Sequence, residues 1–290
     1  MGTSNQAIDH KLLAATLCDL RRARDLITDQ GAALDDHWEE ISSEEREEVD
    51  FLASRLDQGH VQLLGIQDDR FPIGLKSLRT PPPYLFAVGN LDLLNERAIG
   101  FSGSRDATEV ALEATATCAR EAHEAGFVVV AGFARGVDGV AHQAAIAAGG
   151  STIAVLPEGI LSANLRISGE YEDSFPGENF LAISQFQAEA KWMVGRAMTR
   201  NTTVIAISEC LVLMSAGETG GSYEAGKAAL KANSPVVTPA FEEDLSPGAK
   251  ALGRTGAVAI DSIDAFRKRL GEMASSEPEV ILTDEPGTLF

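Results

Sequence analysis

Three segments of this 290-residue chain set glycine, small polar residues and charge at spacings suited to holding a phosphate or a sugar. The first, Gly100-Phe-Ser-Gly-Ser-Arg-Asp-Ala-Thr108, follows a short apolar run. It fits neither GxGxxG nor GxxxxGK(S/T), so dinucleotide-binding and Walker-type readings fail on spacing. What remains is a small-residue turn at Gly103 and Ser104, whose backbone N–H groups can seat a phosphate beside Arg105. A tight turn with a surface arginine reads equally well. The second segment is Gly132-Phe-Ala-Arg-Gly-Val-Asp-Gly-Val-Ala-His142. Gly132 and Gly136 let the backbone turn sharply and approach a ligand, while Arg135 offers a fork for an oxyanion. Asp138 and His142 are four apart and share one helix face. A metal would need a further donor, so they read first as capping and orienting groups.

The third segment is Gly217-Glu-Thr-Gly-Gly-Ser-Tyr-Glu-Ala-Gly226. Here Gly220, Gly221 and Ser222 can shape a sugar seat, and Glu224 falls just inside a helix. A helix N-terminus favours the ionised acid, which suits a nucleophile or a stabiliser of an oxocarbenium-like state. The plainer reading is a first-turn glutamate that favours the helix dipole. Trp192, Arg196 and Arg200, at helical spacing and followed by Asn201, could stack a base and hold phosphates. A core tryptophan with surface arginines is the usual outcome of such a pattern.

Elements that would position these groups are legible from periodicity. Short β-branched runs near 98–102, 127–131, 152–156, 181–184, 211–214, 235–238 and 257–260 alternate with helical stretches, as parallel crossovers require. The first crossover is Ala-rich from Val110 and stops at Gly126. The expected fold class is α/β, a Rossmann-like open parallel sheet with helices on both faces, whose ligands sit at the carboxyl ends of the strands. Residues 1–60 are expected to form a small helical region, with one helix over 8–29 and another over 43–56. Residues 61–272 hold the main domain and its lead-in, which contains Phe71-Pro72, Pro81-Pro-Pro83 and the strand-like Tyr84–Val88. Residues 273–290 read as a flexible acidic tail.

Composition limits the partners. An apolar share of 44% argues against global disorder, and no apolar run is long enough to span a membrane. The start lacks a signal-peptide pattern, and Cys18, Cys118 and Cys210 lack paired spacing, so a reducing cytoplasm is expected. The net charge of −19 is unfavourable to nucleic acid, but it is unevenly spread. Residues 35–50 hold nine acids against one arginine, and five more acids follow Arg269. Between Glu96 and Arg254 the balance is milder, 19 acids to 12 bases, which leaves room for a local basic cleft.

Several segments together carry a resemblance. Ser102-Gly-Ser-Arg105, Ala131-Gly-Phe-Ala-Arg-Gly-Val-Asp138 with His142, and Gly149-Gly-Ser-Thr-Ile-Ala-Val-Leu156 resemble the DNA-processing protein A (DprA, or Smf) family. The lead-in Arg70-Phe-Pro72 and Pro81-Pro-Pro-Tyr-Leu-Phe86, Arg200-Asn201, and the stretch from Lys250 to Phe266 extend the likeness over roughly 66–270. The resemblance implies a Rossmann-like domain of the SLOG superfamily, single-stranded DNA binding at the strand ends, loading of a RecA-type recombinase, and no catalysis. Three departures stand out. Thr202 replaces the second arginine of the family's Arg-Asn-Arg motif, the segment Gly159–Gln187 follows the pattern poorly, and the loop at 217–226 carries Glu224. That loop is similar to Glu-bearing loops of cytokinin-activating phosphoribohydrolases and nucleoside deoxyribosyltransferases.

These departures lead to the expectation of a DNA-acting hydrolase of the glycosylase type, with Glu224 at the sugar carbon and a role in antiviral defence. Phosphate would be held by Arg105, Arg135 and the turn amides of Gly103 and Ser104, with Gly132, Gly136, Asp138, His142, Trp192, Arg196, Arg200, Asn201, Gly220, Gly221 and Ser222 completing the nucleotide and DNA site. No cofactor and no metal is expected. The partner is DNA, single-stranded or with a flipped-out nucleotide, and a homodimer stays open. The alternatives are a non-catalytic single-strand binder that loads RecA, and a sensor or hydrolase of a free nucleotide.

Overall fold

The computed structural model describes residues 7–29, 32–165, 177–241 and 245–277. At the amino end, Asp9 accepts from the Lys11 and Leu12 amides and starts helix α1 (His10–Thr16). Asp19 then accepts from Arg21 and Arg22 and starts α2 (Leu20–Thr28). The single helix expected over 8–29 is therefore two, because this second aspartate gives the backbone a fresh N-cap. The acidic run holds an unforeseen helix, α3 (Ala32–Glu40), followed by α4 (Ser43–Gln58). Ser42 and Glu45 form a reciprocal capping box at the start of α4.

The remaining chain alternates strand and helix. In order these are β1 (Gln62–Gly65), α5 (Ile73–Lys76), β2 (Tyr84–Gly89), β3 (Ala98–Gly103), α6 (Glu109–Glu124), β4 (Val128–Ala131), α7 (Val137–Ala147) and β5 (Thr152–Val155). They continue as β6 (Phe180–Ser184), α8 (Val194–Ala206), β7 (Cys210–Met214), α9 (Gly221–Lys231), β8 (Val236–Pro239), α10 (Pro247–Gly253), β9 (Val258–Ile260) and α11 (Ile263–Ser275). The nine strands form one sheet in the order β1-β2-β6-β5-β4-β3-β7-β8-β9. Pairing from β6 through β9 is parallel, whereas β2 runs antiparallel to both β1 and β6. The lead-in thus supplies two strands of the main sheet.

Strands β4 to β7 are buried along their whole length, which is why they read as continuous apolar runs such as Val128-Val-Val-Ala131. One face packs on α8 and α9 through Val204, Ile205, Ala225 and Ala229. The other packs on α6, α7 and α11 through Ala119, Ala122, Ala141 and Phe266. The amino-terminal helices cover Tyr84, Phe86, Phe180 and Ala182 near the β2–β6 end of the sheet. Strands β3 to β6 are laid down in one direction, and the chain then returns to set β7 on the other side of β3. That reversal makes the carboxyl ends of β3 and β7 the switch point, where open α/β sheets hold ligands.

Among the described residues no helix is long and apolar enough to cross a membrane. Helix α11 continues through Ser275, beyond the point where the tail was expected to begin. Residues 278–290, and 166–176 of the segment that departs from the family pattern, lie outside the described residues.

Candidate functional site

The turn between β4 and α7 is organised by a buried ion pair. Asp138, in the first turn of α7, accepts from the amides of Gly132 (3.1 Å) and Ala134 (3.4 Å). Its Oδ2 also lies 3.5 Å from Nη1 of Arg200, on α8. Both side chains are more than nine-tenths buried. Burial pushes the Asp138 carboxyl up and the Arg200 guanidinium down from their ordinary ranges, and their mutual attraction opposes both shifts. Gly132 is needed for this arrangement, since a methyl at its position would fall on the Arg200 guanidinium. Gly136 is needed for a different reason. Its φ is +80°, and a Cβ there would lie 2.5 Å from the Ser104 carbonyl oxygen and 2.8 Å from the Arg105 Cα.

His142 lies deeper still. Thr152 Oγ1 donates to the Val129 carbonyl (2.7 Å), so the 2.6 Å contact with His142 Nδ1 is a bond donated by the ring. Nε2 is buried and has no hydrogen-bond partner among the described residues. Burial first, and Arg200 second, push the imidazole down to about 3, which keeps it neutral. Asp138, His142 and Arg200, read from sequence as site residues, therefore sit behind the turn and shape it.

The turn after β3 is equally committed. The Ser104 amide donates to the Met214 carbonyl (3.3 Å), and the Ser104 carbonyl accepts from Val137 (3.2 Å). The Gly103 carbonyl accepts from Ser222 Oγ (2.6 Å), which pins the start of α9 to the end of β3. Asn201 Nδ2 donates to the Gly221 carbonyl (3.3 Å) and ties α8 to the same helix start. The Ser104 amide, expected to seat a phosphate, is thus occupied by the backbone of β7.

What these pinned turns present outward is charge. Arg105 and Arg135 are exposed on adjacent turns, and Arg135 meets Asp106 at 2.9 Å across a pair that is about three-quarters exposed on each side. Asp106 was not singled out from the sequence, although it stands next to Arg105 in the same motif. Helices α7, α8 and α9 begin at Gly136, Met193 and Gly220 without a side-chain cap. In contrast, α6, α10 and α11 are capped by Thr108, Ser246 and Ser262. These three helices start without a side chain accepting from their first amides, although the Val137 amide of α7 is taken by the Ser104 carbonyl. Trp192 precedes α8 and is 45% exposed, with the Arg105 guanidinium 5.8 Å from its ring centroid. Arg196 lies 5.8 Å from the ring centroid of Phe186, an aromatic that sequence reasoning passed over. Glu224 is half-buried in the first turn of α9, and its two carboxylate oxygens lie 3.0 and 3.2 Å from Lys227 Nζ.

Fold and crevice together define a doubly wound α/β protein whose switch point is lined by exposed guanidinium groups on rigid turns. The chain belongs to the DNA recombination-mediator protein A family, whose model matches residues 62–271. It is 30% identical to the DNA processing protein DprA of Bacillus subtilis over 224 residues, covering 76% of this chain and 75% of the relative. It is 27% identical to DprA of Streptococcus pneumoniae over 199 residues, 68% of this chain and 70% of that one. The crystal structure of S. pneumoniae DprA shares the fold with a TM-score of 0.70 at 22% identity, covering 96% of this chain and 99% of that one. A Helicobacter pylori DprA structure, described for its single-stranded DNA binding mode, aligns with a TM-score of 0.62 at 26% identity over 74% of this chain and 98% of that one.

These relationships correct the expectation of a glycosylase-type hydrolase. The family is one of recombination mediators, and the relatives are DNA processing proteins. Glu224, the residue on which the hydrolase rested, stands in the first turn of α9 and forms an ion pair with Lys227 three residues along the same helix.

Proposed function

We propose that this chain binds single-stranded DNA in the crevice at the carboxyl ends of β3, β4 and β7, and serves recombination without chemistry of its own. One observation carries the reading. The internal polar groups of the two turns are tied into the fold, and Arg105 and Arg135 are left facing outward on a rigid frame. Such a frame holds phosphates at fixed spacing and has little to gain from a carboxylate at a sugar carbon. The B. subtilis and S. pneumoniae relatives and the single-stranded DNA binding of the H. pylori protein support the same assignment. A recombinase of the RecA type, receiving the strand from this chain, is the partner such a mediator role calls for. A homodimer is compatible with this role and is not required by it. The antiviral role rested on the departures of the pocket alone, and neither the family nor the relatives support it.

The test is a salt series. Affinity for a labelled oligothymidylate should fall steeply as salt rises, because each phosphate partner releases counterions. Arg105→Ala and Arg135→Ala should each weaken binding and flatten the slope by about 0.7 in log–log terms. The oligonucleotide should be recovered intact after incubation. Wild-type affinity and slope in both variants would overturn the assignment of the crevice.

A further inference from the structure

We infer that Trp192 is a stacking platform for an unpaired nucleobase, placed so that Arg105 holds the phosphate of the same nucleotide. This rests on the reading of the crevice as a single-strand site and adds what recognises the base. Trp192-Met193-Val194 are exposed by 45%, 56% and 66%, three consecutive large apolar residues at the mouth of the crevice. Scattered exposed apolar residues need no explanation, but a contiguous exposed run beside a binding crevice does. Lys191 and Arg196 flank this run, and no acid lies between Ala190 and Asn201.

One cation lies over the ring itself, and a second ties down the chain beside it. Arg105 reaches across from the turn after β3 and lies over the indole. Arg196, one turn into α8, donates to the Lys191 carbonyl and rests over Phe186. The loop behind the tryptophan is tied as well, since Gln187 Nε2 donates to the Thr16 carbonyl at 3.1 Å. A ring fixed in advance loses little entropy when a base arrives, and the indole is the best aromatic surface for both stacking and a cation. The occupant is therefore a flat π-surface attached to an anion. Within a duplex the base faces are stacked on one another and cannot reach the ring, so the platform selects single strands irrespective of sequence.

The experiment compares the full chain with Trp192→Ala and Trp192→Phe on two probes of equal length, an oligothymidylate and an abasic oligonucleotide with the same phosphates. Wild type should bind the oligothymidylate at least about 10-fold more tightly than the abasic probe, the range expected for one stacked base. Trp192→Ala should lose most of that preference while still binding the abasic probe normally, and Trp192→Phe should keep most of it. In a Trp38→Phe background Trp192 is the sole tryptophan of the chain, and its fluorescence should be quenched by the oligothymidylate and not by the abasic probe. Equal affinity of wild type for the two probes would overturn the stacking inference and leave the phosphate site standing. An oligothymidylate affinity unchanged by Trp192→Ala would do the same, including the case where that variant instead splits a dimer in sedimentation. Failure of wild type to bind either probe would remove the single-strand reading and the platform with it.

Discussion

Replacing Gly132 by alanine perturbs the close approach of Arg200 to the β4–α7 turn. The new methyl would coincide with Nη1 of Arg200 and overlap its Cζ, so adjustment by a few tenths of an ångström cannot relieve it. The backbone at Gly132 is not in the left-handed region, which confines the effect to this collision. The guanidinium must leave its berth, and Asp138 then stays buried without its cation. Uncovering one partner of a buried pair costs about 3–5 kcal/mol. The low end applies, because the Gly132 and Ala134 amides still hold the carboxylate. A loss of about 3 kcal/mol corresponds to a fall in Tm of roughly 6–12 °C for a chain of this size. Calorimetry or denaturant unfolding reads it directly. The control is the same change in an Arg200→Met background, where the obstacle is a flexible thioether and the added cost should shrink below about 1 kcal/mol. A Gly132→Ala protein as stable as wild type, or an equal cost in both backgrounds, would refute the reasoning.

Two further outcomes follow from the same neighbourhood. His142 is neutral in the folded state, at about 3 against an ordinary 6.5, so below pH 6.5 the unfolded chain takes up a proton that the folded chain refuses. Its contribution is fully present above pH 6.5 and is lost toward pH 3 at about 1.4 kcal/mol per pH unit. His142→Leu, which leaves Thr152 bonded to Val129, should flatten the stability–pH curve between pH 4.5 and 6.5 by about that slope; parallel curves would contradict the assignment. Asp106→Asn frees Arg135 from an exposed pair and removes an acid from the crevice. Such a pair is worth only about 0–1 kcal/mol, so the variant should fold normally and bind an oligothymidylate roughly 2- to 10-fold more tightly at low salt. Weaker binding would show that Asp106 assists the strand.

The sheet was legible from the sequence because β3 to β8 are mostly buried, and such strands leave uninterrupted apolar runs between turn residues. Strand β1 was missed for the opposite reason: Gln62-Leu-Leu-Gly65 is a short edge strand, half-buried at most positions, with a polar residue and a glycine at its ends. The break between α1 and α2 was missed because Asp19 reads as one more polar position on an amphipathic face until its side chain is seen to cap. At the site, glycine and arginine marked the right loops, and all three Gly-rich segments converge on the switch point. Spacing could not say which charges face outward. Arg200 and Arg135 look alike in sequence, yet one is buried against Asp138 and the other is about three-quarters exposed. Only the close approach of Arg200 to Gly132 separates them, and that contact spans 68 positions of chain. Glu224 misled because a Gly-rich loop before a helix is shared by phosphate seats and glycosidic sites alike.

Amide hydrogen exchange with and without an oligothymidylate tests the central claim most directly, because it reports where the strand lies as well as whether it binds. The strand should slow exchange in peptides covering 103–106, 132–137 and 191–196, and leave α3 and α4 unchanged, since their acidic faces repel phosphate. Protection confined to the amino-terminal helices or to the β9 edge, with the turns after β3 and β4 unaffected, would contradict the account.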